Sequence, residues 1–265
     1  MSSLTPTAVP CVVLAGGRAS KQMEAAAWHE VLALAPIAGR PMLIYVLDAL
    51  SRSQTVKGIW VVGPAELQPV LRDAVWVPEA GSMLENMQAG ISACEADGYV
   101  LLCTADVPFL TPAAVDDFVS TAVATGADMC YPIVAKEVVQ ARYPIMRRTC
   151  VRTRDGAFTG GNMVLMRASF FPSLAPAVER LRAARKSPLR LAAILGPMVI
   201  LRLLTGTVSI AGIESKAASL FGGTLRAVIS AYPELAADVD KPEDLAAAEA
   251  IIAAGLHHPS APTNM

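Results

Sequence analysis

The 265-residue chain is poor in charge, in aromatic rings and in histidine. Charged residues make up 17% against 54% apolar, which excludes a disordered chain and supplies side chains for a large buried core. Lysine and arginine number 22 and the acids 23, so no global basic field draws the chain to nucleic acid or to an anionic membrane. Aromatics at 5% leave no stacking platform for single strands. His29 stands far along the chain from His257 and His258, which argues against a histidine metal centre. The five cysteines (Cys11, Cys94, Cys103, Cys130, Cys150) are odd in number and lack C-x-x-C spacing. They support neither a disulfide framework nor a zinc site and read as free thiols of a reducing cytoplasm. Residues 1–10 carry no basic and apolar leader pattern, so no secretory signal is expected. The apolar stretch 189–204 is broken by Arg190, Arg202 and Gly196-Pro197, too short and interrupted to span a bilayer. It reads as a buried or surface-docked helix pair, with an interfacial helix left open. Neither G-x-x-x-x-G-K-[ST], G-x-G-x-x-G nor G-x-S-x-G occurs.

What the chain does have is the stretch Cys11-Val12-Val13-Leu14-Ala15-Gly16-Gly17-Arg18. A β-branched apolar run that stops at two glycines reads as a strand buried on both faces, followed by a tight turn. Without a Cβ, the glycines let the backbone lie against something flat or charged, and Arg18 with the exposed amides suits a base and phosphates. Strands and helices alternate from there on. Strands are expected over 58–63, 74–77, 99–104, 128–134, 163–166 and 224–229. Helices are expected over 42–50, 65–72, 82–93, 111–124, 170–184, 189–204, 213–221 and into 254. Ser82 with Glu85 has the capping-box pattern, and Thr111-Pro112 pairs a cap with a first-turn proline. The alternation predicts a mostly parallel, three-layer α/β sheet, in which ligands bind at the carboxyl ends of strands. Residues 19–35 read as a long loop of the kind that often serves binding. One domain over residues 1–255 is expected, with an Arg-rich excursion at 136–158 and an apolar helical insert at 187–204. The tail, 256–265, reads as frayed.

Three sites could carry chemistry. Asp106 ends an apolar strand ahead of Val107-Pro108 and is placed to take Mg²⁺ through oxygen, unless it serves as a cap for the helix near Pro112. Asp238 and Asp240 precede Pro242, so both could cap the last helix, or one could turn inward as a second metal ligand, Asp240 being the candidate. Thr159-Gly160-Gly161-Asn162 could bring backbone to a substrate on the acceptor side, and a tight strand entry accounts for it equally well. The basic run Arg180, Arg182, Arg185, Lys186 and Arg190 reads as a solvated helix face.

Taken together, Leu14-Ala15-Gly16-Gly17, Ile37-Ala38-Gly39-Arg40-Pro41-Met42, Ala105-Asp106-Val107-Pro108 and Asp238-Val239-Asp240-Lys241-Pro242-Glu243-Asp244-Leu245 resemble the MobA-like nucleotidyltransferases. The resemblance spans most of the chain. It implies a Rossmann-like α/β/α mixed sheet of the glycosyltransferase-A, or nucleotide-diphospho-sugar transferase, type. It implies that Leu14, Ala15, Gly16 and Gly17 hold an NTP, and that Asp106 binds Mg²⁺ with the Asp238/Asp240 turn nearby. The acceptor would be a small phosphorylated molecule. The sequence departs from the family's loop, L-A-G-G-x-(S/G)-x-R-M-G-x-x-K: Arg18-Ala19-Ser20-Lys21-Gln22-Met23 lacks the second glycine element, and the lysine position falls at Leu32. Losing an amine from a triphosphate site removes a contact worth roughly 1.5–3 kcal/mol, for which Arg18 and Lys21 are the substitutes at hand. The expected activity is Mg²⁺-dependent transfer of NMP to the acceptor, with Asp106, Arg18 and Lys21 as the catalytic set. A non-catalytic nucleotide-binding or partner-docking module on the same fold is the alternative, and an oligomer is compatible with either.

Overall fold

The computed structural model describes residues 7–19, 29–184, 187 and 193–254. Lys21, most of the 19–35 loop, Arg185, Lys186, Arg190 and the tail with His257 and His258 lie outside the described residues.

The first half builds as the alternation predicts. Strand β1 (Val9–Leu14) is flanked by β4 (Val56–Gly63) and β6 (Tyr99–Thr104), both parallel to it, and β5 (Val75–Pro78) extends the sheet beyond β4. A two-stranded ribbon of β2 (Pro36–Ile37) and β3 (Arg40–Pro41) leads into helix α1 (Met42–Arg52). Helix α2 (Met83–Ala93) opens on the capping box, with Ser82 Oγ accepting from the Glu85 amide at 3.3 Å and Glu85 Oε2 from the Ser82 amide at 2.7 Å. Helix α3 (Pro112–Ala124) is capped by Thr111, whose hydroxyl accepts from the Ala114 amide at 3.2 Å. Residues 65–72 do not form the expected α-helix. They make a 3-10 turn, Ala65–Val70, since Pro69 inside it has no N–H for an α-helical bond.

Successive residues of β1 point to opposite faces of the sheet and feed two cores. Cys11 and Val13 pack with α1, α3 and the helix α8 (Pro242–Ala253). Val12 packs with Met87 and Ile91 of α2 and with Phe171 and Leu174 of α5 (Phe171–Ala184). A Cβ at Gly90 would collide with Val12, so glycine there lets α2 sit flat on the strand. Helices on both faces of one sheet give the three layers.

The second half corrects the expectation of a mostly parallel sheet. The strand order is β5-β4-β1-β6-β10-β7-β9-β8, with β11 (Leu225–Ser230) paired to β7 (Met129–Ala135). Strand β10 (Met163–Arg167) runs antiparallel between β6 and β7, and β7–β11 is parallel again. The Arg-rich excursion is ordered: it contains helix α4 (Lys136–Arg142) and a hairpin of β8 (Val151–Thr153) and β9 (Gly156–Gly160). Its turn, Arg154-Asp155, leads to Gly156 at φ +137°, a backbone that an L side chain resists. The chain then bends at Gly161-Asn162 and continues as β10, so β9 and β10 share one edge of β7. Two further helices follow, α6 (Pro197–Leu204) and α7 (Ile210–Phe221). Ser209 caps α7 by accepting from the Gly212 amide at 3.0 Å, a signal that starts the helix ahead of the expected residue 213. Among the described residues no helix is long and apolar enough to cross a membrane.

Candidate active site

Parallel register sets the site. Leu14 of β1 lies opposite Thr104 of β6, so Gly16 and Asp106, each two residues further on, emerge side by side at the carboxyl rim of the sheet. Ala15 is tied back by its amide to Val62 O at 2.8 Å, which fixes where the glycine turn leaves the strand.

On one side of Gly16 the rim continues to the end of β5. A Cβ on Gly16 would sit 3.0 Å from Glu79 Oε2 and 3.1 Å from Asn86 Nδ2, so these two polar groups stand directly over the bare backbone. Asn86 Oδ1 accepts from the Ala80 amide, which holds the 79–82 loop against α2. Arg18 folds across the turn, with Nη2 2.5 Å from Glu79 Oε1 and Nη1 3.3 Å from Gly16 O. No sequence motif marks Glu79 or Asn86. Their signal was position: they lie just after a strand and at the start of the capping-box helix. Leu32 stands on the opposite flank of the turn, its amide donating to Gly17 O at 3.0 Å. A Cβ at Gly17 would be 3.9 Å from the Leu32 side chain. The position expected to carry an amine therefore abuts the glycine turn and carries an isobutyl group.

On the other side of Gly16 lies Asp106. Its main-chain oxygen accepts from the Val239 amide at 2.8 Å, which docks the Asp238-Val239-Asp240 turn onto the end of β6. Neither alternative capping role holds. Thr111 caps α3, and the N-cap of α8 is Lys241, with no side-chain cap bond. The Asp106 carboxyl accepts from the Thr104 hydroxyl. Burial pushes its pKa up to about 6, with the Asp238 and Asp240 carboxylates adding to the rise and Thr104 opposing it.

Asp238 is already committed. Its Oδ2 pairs with Arg148 Nη1 at 3.0 Å, its main-chain oxygen accepts from Arg148 Nη2, and its Oδ1 accepts from Asn162 Nδ2 at 3.0 Å. Arg148 Nε is a buried donor with no partner among the described residues. Asn162 is the joint of the site. Its amide donates to Leu235 O at 2.8 Å, its carbonyl accepts from the Thr104 amide at 3.1 Å, and its side chain reaches Asp238. A strand bend beside a polar cluster re-aims a side chain in this way. Asp240 is exposed and shares a hydrogen bond with the buried Asp244, whose pKa rises to about 6 from burial and this carboxyl neighbour while Arg148 opposes. Gly160 and Gly161 make room for neighbours. A Cβ on Gly160 would collide with the Tyr131 ring and hydroxyl, and one on Gly161 would lie 2.8 Å from Pro132 Cγ and 3.0 Å from Leu235 O.

The donors fit a hard cation. Asp106 and Asp240 offer carboxylate oxygens at one strand end, and their mutual repulsion with Asp238 is the kind that a divalent ion relieves. No group of three metal-ligating side chains converges among the described residues, so a bound ion would complete its shell with phosphate or water oxygens, as Mg²⁺ commonly does.

The MobA-like NTP transferase domain matches residues 11–192, well over half of the chain. The chain belongs to that family. A hypothetical transferase of known structure from Thermus thermophilus is 39% identical, with a TM-score of 0.79 covering 90% of this chain and 100% of that one. The bifunctional protein GlmU of Sphingopyxis alaskensis is 34% identical over 112 residues, 40% of this chain and 24% of the relative. The matched part thus spans about a quarter of that curated protein. A CMP:2-keto-3-deoxy-manno-octonic acid synthetase solved with CTP shares the fold at 14% identity and a TM-score of 0.62, covering 94% of this chain and 100% of that one. The sheet with its antiparallel β10 is thus the nucleotide-diphospho-sugar transferase architecture, and the family is one of NTP transferases.

Proposed function

We propose that this protein transfers a nucleoside monophosphate from an NTP to a phosphate-bearing acceptor, with loss of pyrophosphate and dependence on Mg²⁺. The observation that carries the reading is the Val239–Asp106 bond, which gathers Asp106, Asp238 and Asp240 beside the Gly16-Gly17 turn at one sheet rim. An acceptor phosphate oxygen bonds to the α-phosphorus, the bond from that phosphorus to the bridging oxygen breaks, and pyrophosphate leaves with the electron pair. An ionised phosphate needs no base to remove a proton, so this chemistry asks mainly for positioning and charge stabilisation.

Leu14, Ala15, Gly16 and Gly17 lay the main chain under the nucleotide, with Glu79 and Asn86 as hydrogen-bonding partners for its base. Arg18, ion-paired with Glu79, and Lys21 would be the cations offered to the phosphates. Asp106 and Asp240 would hold Mg²⁺, which when bound offsets charge on the triphosphate. Arg148 and Asn162 keep Asp238 out of that shell and hold the turn in place. Gly160, Gly161 and Asn162 form the acceptor side, opposite Gly16 across Asp106.

Pyrophosphate release with each of the four NTPs, Mg²⁺ and phosphorylated acceptors tests the reading. An Asp106→Ala protein that released pyrophosphate at the wild-type rate would overturn it. The non-catalytic alternative draws on one observation, the Leu32 side chain against Gly17 where the family's loop carries an amine. It expects nucleotide binding by calorimetry with no product from any acceptor.

A further inference from the structure

Behind the acceptor side, on the face of the sheet that α7 covers, lies a cavity of about 470 Å³. That volume is within the roughly 300–1,000 Å³ range of small-molecule sites. Its floor is the outer half of the sheet, with Met129, Tyr131 and Ile133 of β7 beside Phe158 of β9. Its walls are α5, α6 and α7, which contribute Leu181, Val199, Leu203, Ala217 and Leu220. Three charged groups border it. Glu214 Oε1 accepts from the Ala227 amide at 2.7 Å and Oε2 lies 3.6 Å from Arg226 Nη1, so those two charges answer each other, and Lys216 stands at the wall. The interior calls for hydrocarbon.

The cavity borders the candidate acceptor side. Thr159 and Gly160 line it. The Tyr131 ring forms part of its floor, while the Tyr131 hydroxyl donates to Gly161 O at 2.7 Å. The next residue is Asn162, which grips Asp238. The Asp238 carboxylate lies near enough to raise the Tyr131 phenol, after burial, above its ordinary range. One aromatic side chain therefore separates an apolar chamber from the acidic rim. The helix over it, α6, buries none of its residues and shows Met198, Leu201 and Leu204 to solvent. An apolar helix with little of its own to bury is suited to roofing a bound chain rather than closing a core.

We infer that this cavity seats the hydrocarbon part of the acceptor, which makes the acceptor a phosphomonoester with an apolar tail, of the alkyl or isoprenoid phosphate class. This rests on the nucleotidyl-transfer reading. The tail lies between α6 and the sheet, and the phosphate stands at the Tyr131–Gly160 edge facing Asp106. Transfer then joins the monoester oxygen to the α-phosphorus of the NTP, breaks the bond to the bridging oxygen and releases pyrophosphate, leaving a lipid-linked nucleoside diphosphate.

Calorimetry on the full chain with dodecyl phosphate, methyl phosphate and dodecanol, below their aggregation limits, tests this. The expected result is binding of dodecyl phosphate at least about 100-fold tighter than either fragment. Val199→Glu and Leu203→Glu, on the roof helix, are each expected to abolish the preference while leaving the NTP-induced thermal shift unchanged. Equal binding of dodecyl and methyl phosphate overturns the inference. So does dodecanol binding as tightly as the phosphate, or a preference that survives both variants. A dimer that Val199→Glu dissociates, with no uptake of dodecyl phosphate, overturns it in favour of a second copy over the cavity. The NTP shift, read on the same samples, keeps the two readings apart. Its absence beside an intact dodecyl phosphate preference overturns nucleotidyl transfer and leaves the hydrocarbon seat standing.

Discussion

The two sides of the sheet solve different problems with the same backbone. On the β1–β6 side, the rim is polar and built from short connections: a glycine turn, a carboxylate two residues past a strand and a capped helix. On the β7–β9–β11 side, the polar groups at the rim are tied to one another, and the face behind them is a chamber of leucine, valine and phenylalanine. The first side owes its arrangement to strand register, because Leu14 opposite Thr104 brings Gly16 and Asp106 together. The second owes it to helices that return over the sheet from the far end of the chain. A parallel rim is suited to charged ligands, since it ends in exposed main chain. An apolar face left partly roofed is suited to what water rejects.

Removing the link between the sides has the largest expected effect. Arg148→Met leaves Asp238 half-buried without its ion pair and is expected to destabilise the fold by about 3–5 kcal/mol, read as a lower denaturant midpoint at constant slope. Arg148→Lys recovers only part of this, since an ammonium cannot reach both the carboxylate and the main-chain oxygen. If the midpoint did not move, the acidic rim would not depend on the excursion that supplies Arg148.

Next comes the polar side by itself. Asp106→Ala is expected to lower pyrophosphate release by at least about 100-fold with little change in fold, checked by circular dichroism. Leu32→Lys restores an amine beside Gly17 and is expected to raise turnover about tenfold or more. A gain identifies a weakened enzyme, whereas tighter nucleotide binding without product favours the non-catalytic module.

The smallest effect concerns pH. Asp106 titrates near 6 in the folded chain against an ordinary value of 3.8, so the native state holds a proton there that the unfolded chain has lost. That contribution is complete below pH 4 and is lost as pH climbs through about 6. Stability without divalent ions is therefore expected to fall across that window. Asp106→Asn removes this component, leaves the slope from Asp244, and raises Tm at pH 8 by several degrees. Mg²⁺ is expected to stabilise the wild type above pH 6 and to leave Asp106→Asn unmoved, as a thermal-shift series would record.

Much of the polar side was legible in the residues. The run ending at Gly16-Gly17, the Ser82/Glu85 box, the Thr111-Pro112 start and the strand ending before Asp106 all state their own local geometry. The Asp238-x-Asp240 pair was legible as a turn but not as a choice between capping and facing inward, because that depends on what the turn meets. Glu79, Asn86 and Arg148 were hidden for the same reason. A lone acid after a strand, or one arginine among several, carries no periodicity.

The amino-acid sequence alone determined the longer strands of the main sheet, most helices and their caps, since these follow from hydrogen bonds and apolar spacing within a few residues, but not the short ribbon β2–β3 or the β8–β9 hairpin. It also determined that a glycine turn and an acidic residue would end two buried strands. Only the tertiary structure decided that β10 runs antiparallel between β6 and β7, that the Val239 amide docks on Asp106, and that α6 and α7 enclose a chamber behind Tyr131. Those outcomes rest on contacts between residues far apart in the chain. Their energies come from surfaces that exist only once the sheet has formed.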